Sequence, residues 1–216
     1  MALTALKKLS AIAEFQFRLL LKTNFALAGG LCLLTPVIFG IRFLDSFGSS
    51  FVLERFTALT GIILLTPLFM PEQDKNIAEL VQSKPASHTQ TLLIRLVMSA
   101  VFMILCISVM TAAMKYLQCD FETGRFIAGT SATAFFLGAC GFSFHAFTNN
   151  APAGYLAAAS YYLLNYTLGS RLKNMYLFSL SAGSMKEKAW IFCAGIILIC
   201  ASLIWRSFSA KTGLYR

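Results

Sequence analysis

Apolar residues gather into six stretches along the chain, at 25–41, 56–70, 96–114, 126–147, 151–168 and 189–205. None shows the period-two alternation of barrel strands, which come as segments of about 10 residues. A bilayer-spanning helix needs about 20 mostly apolar residues, and backbone polar groups cannot stand bare in hydrocarbon. Each stretch is therefore expected to be a helix that borrows flanking residues to complete its span. The predicted fold class is all-α: a polytopic membrane protein with six transmembrane helices, its domain running over 25–205 and followed by a tail over 206–216.

The segment ahead of the first stretch has a different pattern. Lys7, Ala11, Glu14, Arg18 and Lys22 share one helical stripe, with Glu14 and Arg18 at i,i+4 spacing, while Leu9, Ala13, Phe17, Leu20 and Leu21 form the opposing face. This predicts an N-terminal interfacial amphipathic helix over 1–24, turning into the membrane after Asn24. Lys7 and Lys8 are not followed directly by a short apolar run with a small-residue cleavage site, so no removable signal peptide is expected.

Local signals mark several boundaries. Ser87–Gln90 and Ser184–Glu187 both match the S-x-x-[EQ] capping box, placed shortly before the third and sixth stretches. Asn149, Asn150 and Pro152 make a very short turn, with Asn150 as helix cap, so the fourth and fifth helices should form an antiparallel hairpin. Thr35-Pro36 and Thr66-Pro67 place a proline inside each of the first two spans, where it frees a carbonyl and bends the helix.

Composition narrows the class. The 216 residues are 57% hydrophobic and only 12% charged, with a mean hydropathy of +0.70, against about 25% charged in soluble domains. Six spans leave no room for a large extramembrane domain. The net charge of +9 sits beside the apolar runs and makes no aromatic-interleaved basic stripe, so it reads as membrane flanks and excludes a nucleic-acid partner. Cysteines 32, 106, 119, 140, 193 and 200 lie mostly in apolar stretches without a C-x-x-C pair, and read as small hydrophobes.

With the N-terminus inside, ten basic residues fall on the cytoplasmic side and eight on the other, among them Arg55 and Lys188. Four basic residues precede the first span and two follow it, which favours N- and C-termini in the cytoplasm and a multi-pass location in the plasma (inner) membrane.

Missing motifs exclude several chemistries. No G-x-x-x-x-G-K-[ST], G-x-S-x-G, H-E-x-x-H or G-x-G-x-x-G occurs, so no ATP site, cofactor or metal is expected on this chain. None of the nine acidic residues is expected near a span centre, Glu54 lying at an edge, which argues against coupling to an ion gradient. His145 and Asn149 form an H-x-x-x-N pair on one helical face, the one arrangement an intramembrane enzyme could use, but the paired glutamates such chemistry needs are absent.

The loop over 71–95 is the most informative. Asp74 can cap a short helix running to about Gln82, Pro85 forces its end, and Ile77, Leu80 and Val81 lie on one face of it. A small helix at the membrane surface with exposed apolar residues can seat in a groove on a soluble partner. Glu72 at the close of the second span, Glu79-Leu80, the Ser83, Pro85 and Ser87 turn, then Leu92-Leu93 and Arg95, make this loop resemble that of ABC-2 type transporter permeases. Lys84 interrupts the Ser-Pro pair usual in that family.

The resemblance covers nearly the whole chain and implies a permease subunit that moves its cargo when a separate ATPase closes. Glu72, Asp74, Ile77, Glu79, Leu80, Val81 and Pro85 would make the ATPase contact. The implied partners are two ATPase copies, which hold ATP and Mg, a second permease, identical or related, and membrane lipid. The loop over 169–188 would dip back into the outer leaflet. Abundant aromatics and scarce charge point to an amphipathic or hydrophobic cargo, such as a lipid or peptide. The rival readings are a membrane scaffold or assembly protein and, behind it, an intramembrane enzyme using His145.

Overall fold

The computed structural model describes residues 22–70 and 88–212, and all regular structure among them is helical. Helix α1 covers Lys22–Phe39. The second span is composite: α2 over Ser46–Arg55, a 3-10 turn at Thr57–Leu59, α3 over Thr60–Leu65 and a second 3-10 turn at Thr66–Phe69. Then come α4 over His88–Tyr116, α5 over Thr123–Thr148 and α6 over Ala151–Leu168. Two 3-10 segments, Gly169–Met175 and Ser179–Ala182, lead into α7 over Lys186–Thr212.

Among the described residues, five helices are long and apolar enough to cross a membrane: Lys22–Phe39, Ser46–Phe69, Thr91–Tyr116, Thr123–Thr148 and Lys186–Phe208. The sequence expectation of six is met only to that extent. The 18 residues of α6 include Pro152, Gly154, Ser160, Asn165 and tyrosines at 155, 161, 162 and 166, too polar to be counted with the other five. The expected interfacial helix over 1–24 lies almost wholly outside the described residues.

The second span begins at Ser46, ten residues ahead of its expected start at 56. Its first helix reads Ser-Phe-Gly-Ser-Ser-Phe-Val-Leu-Glu-Arg, too polar for an apolar run, yet Ser49, Ser50 and Glu54 are buried together with Val52 and Leu53. Asp45 caps it by accepting the Gly48 amide at 2.8 Å. Polar groups at this depth persist because the protein interior supplies their partners.

Helix α5 is the centre. Of its spanning window 72% is buried, against 17% for α1, and it packs on α4, α6, α7 and the second span. Close approach is made possible by glycine: a Cβ at Gly138 would stand 2.5 Å from the Gly61 carbonyl oxygen, and one at Gly154 2.5 Å from that of Gly141. Backbones in such contact maximise dispersion where lipid removes the hydrophobic drive between helices. The α5–α6 hairpin forms as expected. Asn149 takes a left-handed φ of 51° and α6 starts after Asn150, whose side chain makes no capping bond.

The outward side is apolar, with Leu33, Val37, Val101, Val109, Leu156 and Ile197 all more than half exposed. That inversion of a soluble surface is what a lipid-facing bundle presents.

We call the end holding the Gly40–Asp45, Leu117–Glu122 and Gly169–Met185 connections the upper end. The Phe43 amide donates to the Leu117 carbonyl at 3.3 Å and Asp120 to Leu44 at 3.1 Å, joining two of these connections. The lower end holds the Asn149–Asn150 turn, the close of the second span and the start of α4.

Candidate functional site

Residues Glu72, Asp74, Ile77, Glu79, Leu80, Val81 and Pro85 lie outside the described residues, and so does Ser87 of the first capping box. What is described is the framework from which that segment departs. Pro67 removes one amide from the end of the second span, and the chain tightens there into the 3-10 turn Thr66–Phe69. Carbonyls in this turn receive donors from other helices. His145 Nδ1 on α5 is 2.7 Å from the Thr66 carbonyl, and because a carbonyl only accepts, this nitrogen carries the proton. Arg95 on α4 donates from Nη1 to the Leu68 carbonyl at 3.2 Å.

Phe69 completes the arrangement. Its ring packs on Phe142 at 4.6 Å between centroids, meets the His145 ring edge-on at 5.5 Å, and lies under the Arg206 guanidinium of α7 at 5.1 Å. Arg206 also donates to the Asn149 side chain at 3.1 Å. Arg95, Phe69 and His145 are almost completely buried. Three helices therefore grip the second span two to five residues ahead of 71.

The expected His145–Asn149 pair is divided by this geometry: His145 serves the Thr66 carbonyl and Asn149 serves Arg206. Among the described residues no group of three or more His, Cys, Asp or Glu side chains is placed to hold a metal.

A second polar cluster lies in the upper half. Glu54 and Lys188 form an ion pair, with side chains 1% and 2% exposed. The Lys188 ammonium also donates to the Thr133 hydroxyl at 2.7 Å and to the Leu177 carbonyl, while the Leu180 amide donates to the same Glu54 oxygen at 3.3 Å. Asn165 on α6 accepts the Leu177 amide at 2.9 Å. Beside them the Arg55 guanidinium lies over the rings of Phe51, Tyr166 and Phe178 at 4.3, 4.9 and 5.1 Å. Burial lifts the Tyr176 phenol in the loop above its ordinary range, opposed by Arg55 and reinforced by Glu54.

This cluster corrects the sequence reading, which left Glu54 at a span edge and counted Arg55 and Lys188 as flanking charges. Glu54 is the ninth residue of a span that starts at Ser46, and Lys188 is the third of α7, turned inward. The polar run from Ser46 was the visible signal; nothing in the sequence joins two residues 134 positions apart. The last helix starts at Lys186, two residues after Ser184, and the Ser184 amide is taken by the Ser179 carbonyl at 3.2 Å, so the reciprocal half of the expected second capping box is not made.

No protein-family model, curated protein or solved structure matches this chain.

Proposed function

We propose that the chain is the six-span membrane subunit of an ATP-driven transporter of the ABC-2 permease type, moving an amphipathic or hydrophobic compound, peptide or lipid. ATP and Mg would be held by two copies of a separate ATPase, and a second permease, identical or related, would complete the pathway. The lower end would face the cytoplasm, with both termini there and the plasma membrane as the site of action. The observation that carries this reading is the clasp on Thr66, Leu68 and Phe69 by His145, Arg95 and Arg206.

A force applied to a surface helix within 71–87 reaches the membrane domain through the residues at its start. A span that ended in a frayed turn would dissipate that displacement. This one ends in a buried turn tied to α4, α5 and α7, so movement of the segment is delivered to three helices at once. In this role Glu72, Asp74, Ile77, Glu79, Leu80, Val81 and Pro85 make the ATPase contact, with Ile77, Leu80 and Val81 as the apolar face of the segment. As the fifth of the six spans, α6 would meet the membrane with polar groups engaged: Tyr161 donates to the Met175 carbonyl at 2.8 Å, Tyr162 to that of Arg55 at 3.0 Å, and Asn165 to that of Tyr161 at 3.1 Å. The burial of His145 beneath Phe69 favours anchoring over catalysis.

The test is co-reconstitution with an ABC-type ATPase from the same genome. Glu79→Arg together with Leu80→Asp should abolish permease-stimulated ATP hydrolysis while the protein remains in the membrane. Unchanged stimulation would remove the ATPase-coupling role.

A further inference from the structure

The connection between α6 and α7 is fastened to the bundle by buried side chains instead of lying loose on it. Leu177, Phe178 and Leu180 are 0%, 2% and 3% exposed. Leu180 fills the space left by Gly129, where an added Cβ would come within 2.8 Å of its side chain. Phe178 sits edge-on to Tyr162 at 5.6 Å. Three main-chain groups of this stretch are taken by helix side chains: the Leu177 carbonyl by Lys188, the Leu177 amide by Asn165 and the Leu180 amide by Glu54.

Lys188 is the hub. One ammonium joins α2 through Glu54, α5 through Thr133, and the loop through Leu177. Stability alone does not call for charges here, since buried ion pairs are often replaced by apolar residues of like volume without loss. What a charged pair can add is a choice of two discrete states, made and broken. Lys188 is in the first turn of α7, so its four-carbon stem can carry the released ammonium toward water at the upper surface. The closed arrangement also leaves the Ser179 hydroxyl of this connection buried without a hydrogen-bond partner among the described residues, and it gains water if the loop lifts.

We infer that Tyr176–Ala182 is a hinged cap over the upper end, latched by the Glu54–Lys188 ion pair, and that breaking the pair releases the cap while leaving the helices assembled. The latch rests on its own geometry; its use as the exit gate of a transport cycle rests on the function proposed above.

The test is hydrogen exchange on the full chain in lipid nanodiscs, read by mass spectrometry on peptides covering 175–184. Glu54→Gln combined with Lys188→Met removes both charges and keeps their volumes. The Leu177 and Leu180 amides should then exchange faster by about tenfold or more, with α4, α5 and α7 as protected as before. Unchanged exchange in the loop overturns the latch. If exchange rises throughout the bundle, the pair is a fastener of the whole fold and the latch is equally overturned. Glu54→Asp, which keeps the charge but withdraws it by one methylene, should give an intermediate, loop-confined increase; a wild-type pattern there counts against the ion pair. No ATPase takes part in these measurements, so failure of the latch is distinct from failure of the coupling role, which Glu79→Arg with Leu80→Asp reports.

Discussion

Gly138→Ala tests whether helix contact or side-chain chemistry sets the stability of this bundle. A Cβ at this position would stand 2.5 Å from the Gly61 carbonyl oxygen and 2.8 Å from the Leu65 Cβ. An acceptable carbon–oxygen contact is about 3.3–3.6 Å, so α3 and α5 must part by roughly 1 Å. One obstructing atom is main chain and cannot rotate away. A gap of ~0.5–1 Å forfeits a quarter to a half of each dispersion contact across the seam, and in lipid no hydrophobic term compensates. The expected loss lies at the upper end of the ~1–3 kcal/mol typical of overpacking. Gly29→Ala is the control, because nothing lies within 4 Å of a Cβ there. It should stabilise by roughly 0.5–1 kcal/mol, the usual gain of alanine over glycine inside a helix. The assay is denaturation in mixed micelles followed by the fluorescence of Trp190 and Trp205, which sit on α7. Equal stability of Gly138→Ala and wild type, or an equal loss in both variants, would refute the reasoning.

Arg95→Met withdraws the donor at the Leu68 carbonyl and should cost about 1–3 kcal/mol, seen as a lower midpoint in the same unfolding assay. His145→Phe keeps the ring beside Phe69 but loses the Thr66 contact; it should lower stability by roughly 1 kcal/mol, and an unchanged midpoint would show that the contact contributes nothing. For Arg206 and Asn149, a double-mutant cycle with alanine should give a coupling energy of about 0.5–3 kcal/mol, and strict additivity would show that the 3.1 Å contact contributes nothing. Asn165→Leu strands the Leu177 amide and should speed its exchange more than that of amides in the middle of α5.

The sequence made the helices legible where hydrophobicity was continuous. Expected stretches at 96–114, 126–147 and 189–205 fall inside α4, α5 and α7, because a long apolar run in lipid has one backbone solution. It misled where polarity is answered by a distant partner: Ser46–Arg55 looks like a loop until Lys188 is placed against Glu54. The same holds at the lower end, where Pro67 announced a break but not that His145, Arg95 and Arg206 would close on it. Thr35 and Thr66 show the limit of a local motif. The first hydroxyl turns back to the Leu31 carbonyl at 2.7 Å, while the second has no hydrogen-bond partner among the described residues and faces Gly141 across the seam.

The order of synthesis gives the buried charge pair a history. Glu54 leaves the ribosome 134 residues before Lys188, and at about 5–20 residues per second that is a wait of roughly 7–27 s. Throughout that interval the carboxyl has no ammonium to meet, and Ser46–Arg55 has every reason to linger at the water boundary while the helices below it insert. The 3-10 turn at Thr57–Leu59 would divide a late-settling part from an early one. Arrival of the last helix would then draw the upper half of the second into place, making the final span to be translated the one that completes an earlier insertion.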